Sequence, residues 1–312
     1  MVGALWYNRN IMIRLLKLKG RITMDFAAMM KMPPVSEIAY QTYAINEYGL
    51  NAMFLLVGSE KALLIDTGTG VFDLPALVKS LTDKPVQIVL THGHPDHAGA
   101  IGWFDEVYAH PDDFEMALNL SYESRRGYAE ALLKLNRAAP VTAEDTVKFE
   151  KMPKMLALFE GDTIDLGGRK VMVFETPGHT PGGLSFLDVR ERIMITGDAC
   201  NANTLMLALG GMKEMNPKQT IGTLRATAEK LVTLEPLYDR NYNGHIGYGG
   251  SGMCVPQPYS VSRDMASLCA DLLSGAEQGE AQNFGIGGGT GSVSLFARRG
   301  AAGVRYTEAA LK

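Results

Sequence analysis

The stretch THGHPDHAGA, residues 91–100, places four metal-binding side chains within six consecutive positions: His92, His94, Asp96 and His97. Neutral imidazoles and carboxylates are ligands for zinc, manganese and iron(II), and close spacing lets one loop direct several donor atoms at one point. An isolated H-x-H pair is more simply interpreted as a polar turn. Four donors directly after an apolar strand favour a metal site.

Three further donors occur later in the chain, each after a strand-like segment or in a glycine-rich turn. They are His179 in TPGHTPGG, Asp198 in ITGDA and His245 in YNGHIG. The chain has only 6 histidines, so five of them are now candidate ligands. Because zinc takes about four ligands and a catalytic ion keeps one position for water, this many donors indicates a second ion.

Strand-like segments surround these residues and predict two β halves. The first half contains the runs AYQTYAI, NAMFLLVG, KALLIDTG, VQIVL and VYAH, and the second contains TIDLGG, KVMVFETPG, LSFLDV and RIMITGDA. Between the halves, residues 111–157 have helical spacing in two pieces, the first extending to Tyr122. Residues 201–216 are expected to form a loop that, with 111–157, walls the pocket.

Three helices outside this segment are predicted by their spacing and end signals. The first covers roughly Leu74 to Leu81. The second has Asn216 as its cap and Pro217 in its first position, and it stops at Pro236. The third ends at Gly275. The run FGIGGGTG at 284–291 lacks the spacing and the Lys-Ser/Thr ending of a phosphate-binding loop, so we interpret it as an ordinary loop.

Composition narrows the choice of function. The net charge is −4 and no long Lys/Arg block occurs, which favours a small-molecule substrate over nucleic acid. The 3 cysteines include no C-x-x-C pair, so we expect a reducing compartment, the cytoplasm. No apolar run is long enough for a membrane span, and we expect no membrane partner. A homodimer is left open.

The first 23 residues mix apolar and basic positions, and these charges interrupt any signal-peptide core. We therefore predict that 1–23 is an N-terminal extension, with a disordered or loosely docked arm as its simplest structure. Met24 is a second candidate start, and residues 24–312 are predicted to form a single domain.

The order of the donor residues resembles the metallo-β-lactamase-fold hydrolase superfamily. The pattern of that family is H-x-H-x-D-H, a histidine in a TPGH setting, an aspartate in a GD setting and a final histidine, and all occur here. The resemblance implies an α/β fold, a four-layer αββα sandwich with a helical insertion around 111–157. It also implies two Zn²⁺ per chain, with Mn²⁺ or Fe²⁺ as alternatives, bound at the sheet edges between the β halves.

The resemblance also implies a role for each matching residue. One ion would be bound by His92, His94 and His179. The second would be bound by Asp96, His97 and His245, and Asp198 would bridge the two ions. Asp66 in LLIDTGTG matches the DTG turn of the family, where its carboxylate would accept a hydrogen bond from a ligand histidine and fix the orientation of the ring.

Other residues carry weaker signals. His110, in YAHPDD, is predicted to lie at a strand end away from the site, and Cys200 is predicted to be a small buried side chain. Trp103, Tyr248 and Tyr259 are candidate substrate contacts, although aromatic side chains are more often structural.

The expected chemistry is metal-assisted hydrolysis. Two ions about 3.5–4 Å apart would hold a hydroxide between them at near-neutral pH and polarise the bond to be cleaved. Asp96 and Asp198 are the candidates for relaying the proton. The bridging aspartate resembles the glyoxalase II, lactonase and phosphodiesterase branches rather than true β-lactamases, which lack it.

We therefore expect hydrolysis of a thioester or lactone of a small molecule. The alternatives are a phosphodiesterase or β-lactamase-like hydrolase, a mononuclear iron persulfide dioxygenase, and a metal-binding protein without turnover.

Overall fold

The computed structural model describes residues 31–134, 139–206, 216–245, 254–284 and 292–311. Its first sheet has seven strands in sequential order. They are β1 (Val35–Ala39), β2 (Thr42–Asn46), β3 (Ala52–Val57), β4 (Ala62–Ile65), β5 (Val86–Val89), β6 (Glu106–Ala109) and β7 (Lys154–Ala157). The first four strands pair antiparallel, whereas β4 to β7 pair parallel.

Two more sheets follow along the chain. The second has the order β13-β11-β10-β9-β8, from β8 (Thr163–Asp165), β9 (Lys170–Glu175), β10 (Leu184–Asp188), β11 (Ile193–Gly197) and β13 (Arg240–Asn243). The third has the order β12-β16-β15-β14, from β12 (Thr204–Met206), β14 (Glu280–Phe284), β15 (Ser292–Arg299) and β16 (Ala302–Tyr306). The helices are α1 (Leu74–Leu81), α2 (Pro95–Ala98), α3 (Phe114–Leu118), α4 (Tyr122–Leu133), α5 (Ile221–Leu234) and α6 (Val261–Ser274).

The first two sheets pack face to face, because their strands are apolar on both sides. In β3, Phe54 and Leu56 face the second sheet and join a cluster with Phe186 of β10. The alternate residues, Met53 and Leu55, join a separate cluster with α1. Successive side chains of a strand point to opposite faces, so a continuous apolar run places the strand between two layers. Each such side chain that is fully buried contributes about 1.5–3 kcal/mol.

The second sheet is covered on its outer side as well. Phe174, Leu187 and Met194 point away from the first sheet and pack with Tyr238. The helix α6 packs against α5 and against the inner face of the third sheet. The predicted four-layer αββα sandwich is therefore confirmed, with the third sheet added beside α6.

A buried ion pair joins the first two sheets. Arg169 and Asp188 are both fully buried and bonded to each other. The Arg169 guanidinium also donates to the carbonyl oxygens of Gln41 and Val57, at 2.9 and 3.0 Å. Because these bonds satisfy the charge and most of its donors, the pair can be buried where an isolated charge could not.

The structure corrects several sequence predictions. The helix expected from Asn216 begins only at Ile221, because the Thr220 side chain accepts a hydrogen bond from the Thr223 N–H and caps it there. Asn216 instead accepts from the Lys218 N–H in a preceding turn. The helices predicted at Leu74–Leu81 and before Gly275 are confirmed, and Gly275 has the left-handed φ of 76°.

The segments expected to wall the pocket also differ from the prediction. Residues 111–157 are helical only in part, since the first piece ends at Leu118 and residues 154–157 form strand β7 of the first sheet. Residues 204–206 are not loop but strand β12, paired with β16. Residues 1–23, 207–215 and 285–291 lie outside the described residues, so the predicted extension and most of both loops are not described.

Candidate metal centre

The donor side chains all leave the ends of strands at one edge of the two sheets. β4 and β5 run parallel, and Asp66 and the motif at 91–97 follow their carboxyl ends. In the second sheet β9, β11 and β13 share one direction, and His179, Asp198 and His245 follow their carboxyl ends. Carboxyl ends of parallel strands meet at one edge, which explains how residues far apart in sequence come together.

The described donors form three overlapping groups of three, and two of these contain the residues predicted to bind one ion each. His92, His94 and His179 form the first group, and Asp96, His97 and His245 form the second. Within each group, one potential ligand atom per residue lies within 4.8 Å of the others. In the first group, His179 Nε2 lies 2.9 Å from His94 Nδ1.

The Asp198 carboxylate lies between the two groups. Its Oδ2 is 2.9 Å from His245 Nε2 in the second group and 3.7 Å from His179 Nε2 in the first. Its Oδ1 is 3.9 Å from His97 Nε2. A single carboxylate that reaches both groups is the geometry that a shared ligand of two ions requires.

Buried atoms without hydrogen bonds show that the cluster fits a cation. His92 Nε2, His97 Nε2 and Asp198 Oδ1 are buried, and none has a hydrogen-bond partner among the described residues. These three residues also qualify together as a ligand group. An unsatisfied buried polar atom costs about 1–3 kcal/mol, which a metal ion at this position would remove.

The two groups have opposite electrostatic character. Burial, followed by neighbouring histidines, lowers the pKa of His92, and it lowers that of His94 to about 3. In the second group burial opposes protonation, but the carboxylates of Asp96 and Asp66 outweigh it and raise the pKa of His97 to about 10. Asp198 likewise raises the pKa of His245 to about 9 against the effect of burial.

The second nitrogens of the ligand rings are held by hydrogen bonds. Asp66 Oδ2 lies 2.9 Å from His97 Nδ1, the contact expected from the DTG turn, and Asp66 also accepts from the Thr91 N–H at 2.7 Å. His245 Nδ1 lies 2.8 Å from the carbonyl oxygen of Leu50. Each contact fixes a ring so that its Nε2 points into the cluster.

Sequence reasoning missed Asp113, which joins the two loops of the first group. Its carboxylate accepts hydrogen bonds from the N–H groups of Gly93 and Gly182, at 2.9 and 2.8 Å, and from the Thr180 hydroxyl at 2.7 Å. Burial raises the pKa of this carboxyl, although the three donors oppose that rise. The only signal in the sequence was an acidic residue just after a predicted strand, which is too common to single it out.

Two further positions, Gly244 and Glu47, constrain the chain next to the donor residues. The Cβ of an alanine at Gly244 would lie 2.4 Å from His97 Cε1, so only glycine lets the chain pass here. The buried Glu47 accepts from the Thr69 N–H and from the Asn51 side chain, and Asn51 in turn donates to the carbonyl oxygen of Asp96. Burial raises the pKa of Glu47 to about 7.

The weaker candidates lie in varied positions. His110 accepts from the Asp112 N–H and belongs to none of the donor groups, and Cys200 is buried among apolar side chains with its pKa raised to about 12 by burial. Trp103 packs edge-on against Phe149, and Tyr259 is 54% exposed. Tyr248 lies outside the described residues. Substrate contact by Trp103, Tyr248 and Tyr259 stays a prediction.

A four-layer αββα sandwich with a histidine and aspartate cluster at its strand ends defines a class of metal-dependent hydrolase. Residues 48–238 match the metallo-beta-lactamase superfamily. The match covers more than half of the chain, so the chain belongs to the metallo-beta-lactamase superfamily of hydrolases. Within the described residues, no helix is long and apolar enough to cross a bilayer.

Individual proteins share only low sequence identity with this chain. The acyl-coenzyme A thioesterase MBLAC2 of Bos taurus and that of Homo sapiens are each 27% identical over 245 residues, which cover 69% of this chain and 85% of the relative. A sec-alkylsulfatase from Pseudomonas sp. superposes with a TM-score of 0.58 and 17% identity, over 80% of this chain and 44% of the other. The DIM-1 metallo-beta-lactamase has a TM-score of 0.51 and 15% identity, over 77% and 98%. These two structures show the fold alone.

Proposed function

We propose that the protein is a hydrolase that uses two divalent metal ions, zinc in the simplest case, to cleave a thioester of a small molecule. The observation that carries this proposal is the convergence of two groups of three donors with Asp198 within 4 Å of both. The similarity to acyl-coenzyme A thioesterases extends over 85% of their length and favours a thioester over a lactone.

The residues fall into two binding sets. One ion would be held by His92, His94 and His179, and the other by Asp96, His97 and His245, with Asp198 shared. When bound, such ions supply an activated water and polarise the carbonyl that is attacked.

We propose that the carboxylates of Asp96 and Asp198 accept and relay the proton that the attacking water loses. Burial opposes ionisation of Asp198, but His245 and His97 outweigh it and lower the pKa of this carboxyl, so it stays an acceptor at neutral pH. A carboxylate that is ionised and faces the reacting atoms can take up the proton lost by the attacking water. The thiol released from a thioester has a pKa of about 8.5 and can leave as a thiolate. It therefore needs less protonation by a general acid than an alkoxide leaving group does.

Elemental analysis and a substrate panel test the proposal together. We expect two zinc ions per chain and hydrolysis of S-acyl coenzyme A in preference to an acyl-homoserine lactone, bis-nitrophenyl phosphate or a chromogenic cephalosporin. His94→Ala should lower the metal content, whereas His110→Ala, which removes the one histidine outside the donor groups, should not. One iron per chain with no thioester turnover would contradict the proposal and support the dioxygenase alternative.

The cytoplasmic location inferred from the sequence stays a prediction, and the homodimer stays open. Cys200, Cys254 and Cys269 are free in the structure.

A further inference from the structure

The outer face of the third sheet carries two arginines around one aromatic ring. Leu295 and Ala297 of β15 face α6. Side chains alternate along a strand, so Phe296 and Arg298 point to the opposite face of the sheet. Arg305 of β16 pairs in register with Phe296 and shares this side. We call Phe296, Arg298 and Arg305 the arginine face. The guanidinium carbons of Arg298 and Arg305 lie 5.8 and 5.0 Å from the centre of the Phe296 ring.

Arg298 differs from the other exposed arginines of the C-terminal half. Arg192, Arg225, Arg263 and Arg299 each contact a carboxylate. Within the described ranges, Arg298 has no carboxylate partner, and its guanidinium donates a hydrogen bond to the carbonyl oxygen of Ala202 at 3.3 Å. An arginine has five N–H donors, so most of those on Arg298 remain available to a ligand.

The arginine face lies beside the chain that leaves the metal centre. Ala202 is four residues after Asp198, and an extended chain of that length spans at most about 14 Å. A Cβ at Gly303, in register with Arg298, would lie 2.4 Å from the Ala202 carbonyl oxygen, so this loop sits directly against the face. β14 to β16 also lie beyond residue 238, where the superfamily match ends.

We propose that the arginine face binds the phosphate-bearing nucleotide end of a coenzyme A thioester while the acyl end occupies the metal centre. This inference rests on the proposed function, since it names the substrate class of the same site. A protein of net charge −4 needs a local positive surface to hold a polyanionic substrate. Arginine binds phosphate in bidentate fashion, and the Phe296 ring orients the exposed Arg298 guanidinium before the ligand arrives. Arg305 is buried, donates to Ser294 and Gln282, and adds positive charge beneath the ring.

The test compares Arg298→Ala with Arg299→Ala in the full-length, metal-loaded chain. Arg299 is the adjacent exposed arginine, but it points to the opposite face and pairs with Asp271 of α6. We expect Arg298→Ala to weaken binding of free coenzyme A, measured by calorimetry, by about tenfold or more, and Arg299→Ala to leave it unchanged. The KM for an acyl-coenzyme A should rise in parallel, while that for the same acyl group on N-acetylcysteamine, which has no phosphate, should not.

The two proposals fail in different ways. If the chain hydrolyses the N-acetylcysteamine thioester but coenzyme A binds no better to wild type than to Arg298→Ala, the arginine face is not the nucleotide site and the hydrolase proposal stands. If coenzyme A binds through Arg298 but no thioester is cleaved, the reaction proposal is wrong and the nucleotide site stands. A change in kcat for both substrates would show a structural role for Arg298 and overturn its assignment.

Discussion

The two donor groups are built from similar residues but differ in charge. The first contains only histidines, and burial lowers the pKa values of His92 and His94, so their rings are neutral and ready to bind a cation. The second contains Asp96, and nearby carboxylates raise the pKa values of His97 and His245. A metal entering the second group therefore has to displace protons that already balance the carboxylates, whereas the first group has no such competitor.

The groups also differ in how the surrounding chain supports them. Asp113 ties the two loops of the first group together through three hydrogen bonds. In the second group, Asp66 and the Leu50 carbonyl each hold one ring directly. The first group therefore depends on hydrogen bonds that join its two loops, whereas the second depends on hydrogen bonds that orient single rings. Substitutions at these supporting residues should affect one group without the other.

Removing the carboxylate shared by both groups should have the largest effect. Asp198→Ala deletes a carboxylate that approaches both groups and is the proposed proton acceptor, and we expect activity to fall by more than about a hundredfold, beyond what loss of a ligand's hydrogen-bond partner causes. Steady-state kinetics and metal content of the purified variant measure this. Retention of activity would show that Asp198 does not link the groups.

Gly244→Ala should disrupt the second group selectively. The new Cβ would lie 2.4 Å from His97 Cε1 and 3.0 Å from Asp198 Oδ1, so the His97 ring has to move. We expect the variant to lose the metal of the second group and most activity while the first group still binds. Gly161→Ala provides a control for a glycine substitution, since nothing lies within 4 Å of a Cβ there, although its φ of 85° makes some loss of stability expected. Equal metal loss in both variants would point to general destabilisation.

Asp113→Asn should weaken the first group. All three partners of this carboxylate are donors, so the amide NH₂ has to face another donor. We expect metal affinity to fall by about 10–100-fold, as for other residues that orient ligands. Asp112→Asn is the matched control, because Asp112 is its exposed neighbour and, in the part of the chain that the structure describes, pairs with Lys218 and weakly with His110.

Chelator competition should show the two aspartates acting on different ions. Asp113→Asn is expected to lower the affinity of one ion and Asp66→Asn that of the other. If both substitutions weaken the same ion, the division into two groups is wrong.

Much of the architecture was visible in the sequence because short apolar strands and clustered donors carry strong signals. THGHPDHAGA and the settings of His179, Asp198 and His245 suffice to predict which residues meet. The third sheet was missed because β12 has only three residues and pairs with β16, about a hundred positions later. Asp113 and Gly244 were missed because their importance comes from contacts across the fold, and no local pattern encodes such contacts.

The smallest effect is expected from a substitution at Glu47, which tests what stabilises the hairpin behind the second group. Its pKa is raised to about 7 in the folded protein by burial, above 4.5 for the unfolded chain, so the folded state binds more protons between these values. The contribution of Glu47 to stability is therefore greatest below pH 4.5 and is lost as pH rises through 7. Glu47→Gln stays neutral, and its NH₂ can donate to the Thr69 hydroxyl while its carbonyl accepts the remaining bonds.

We expect Glu47→Gln to stabilise the metal-free protein by about 1–3 kcal/mol at pH 8 and by far less at pH 5. Urea unfolding at both pH values measures the difference. Glu60→Gln, an exposed glutamate on another hairpin, serves as the control. Equal free energies of unfolding for Glu47→Gln and wild type at pH 8 would mean that the hydrogen bonds from Thr69 and Asn51 fully offset the cost of burying the Glu47 charge. The hairpin behind the second group would then be held as well by an ionised Glu47 as by a neutral side chain.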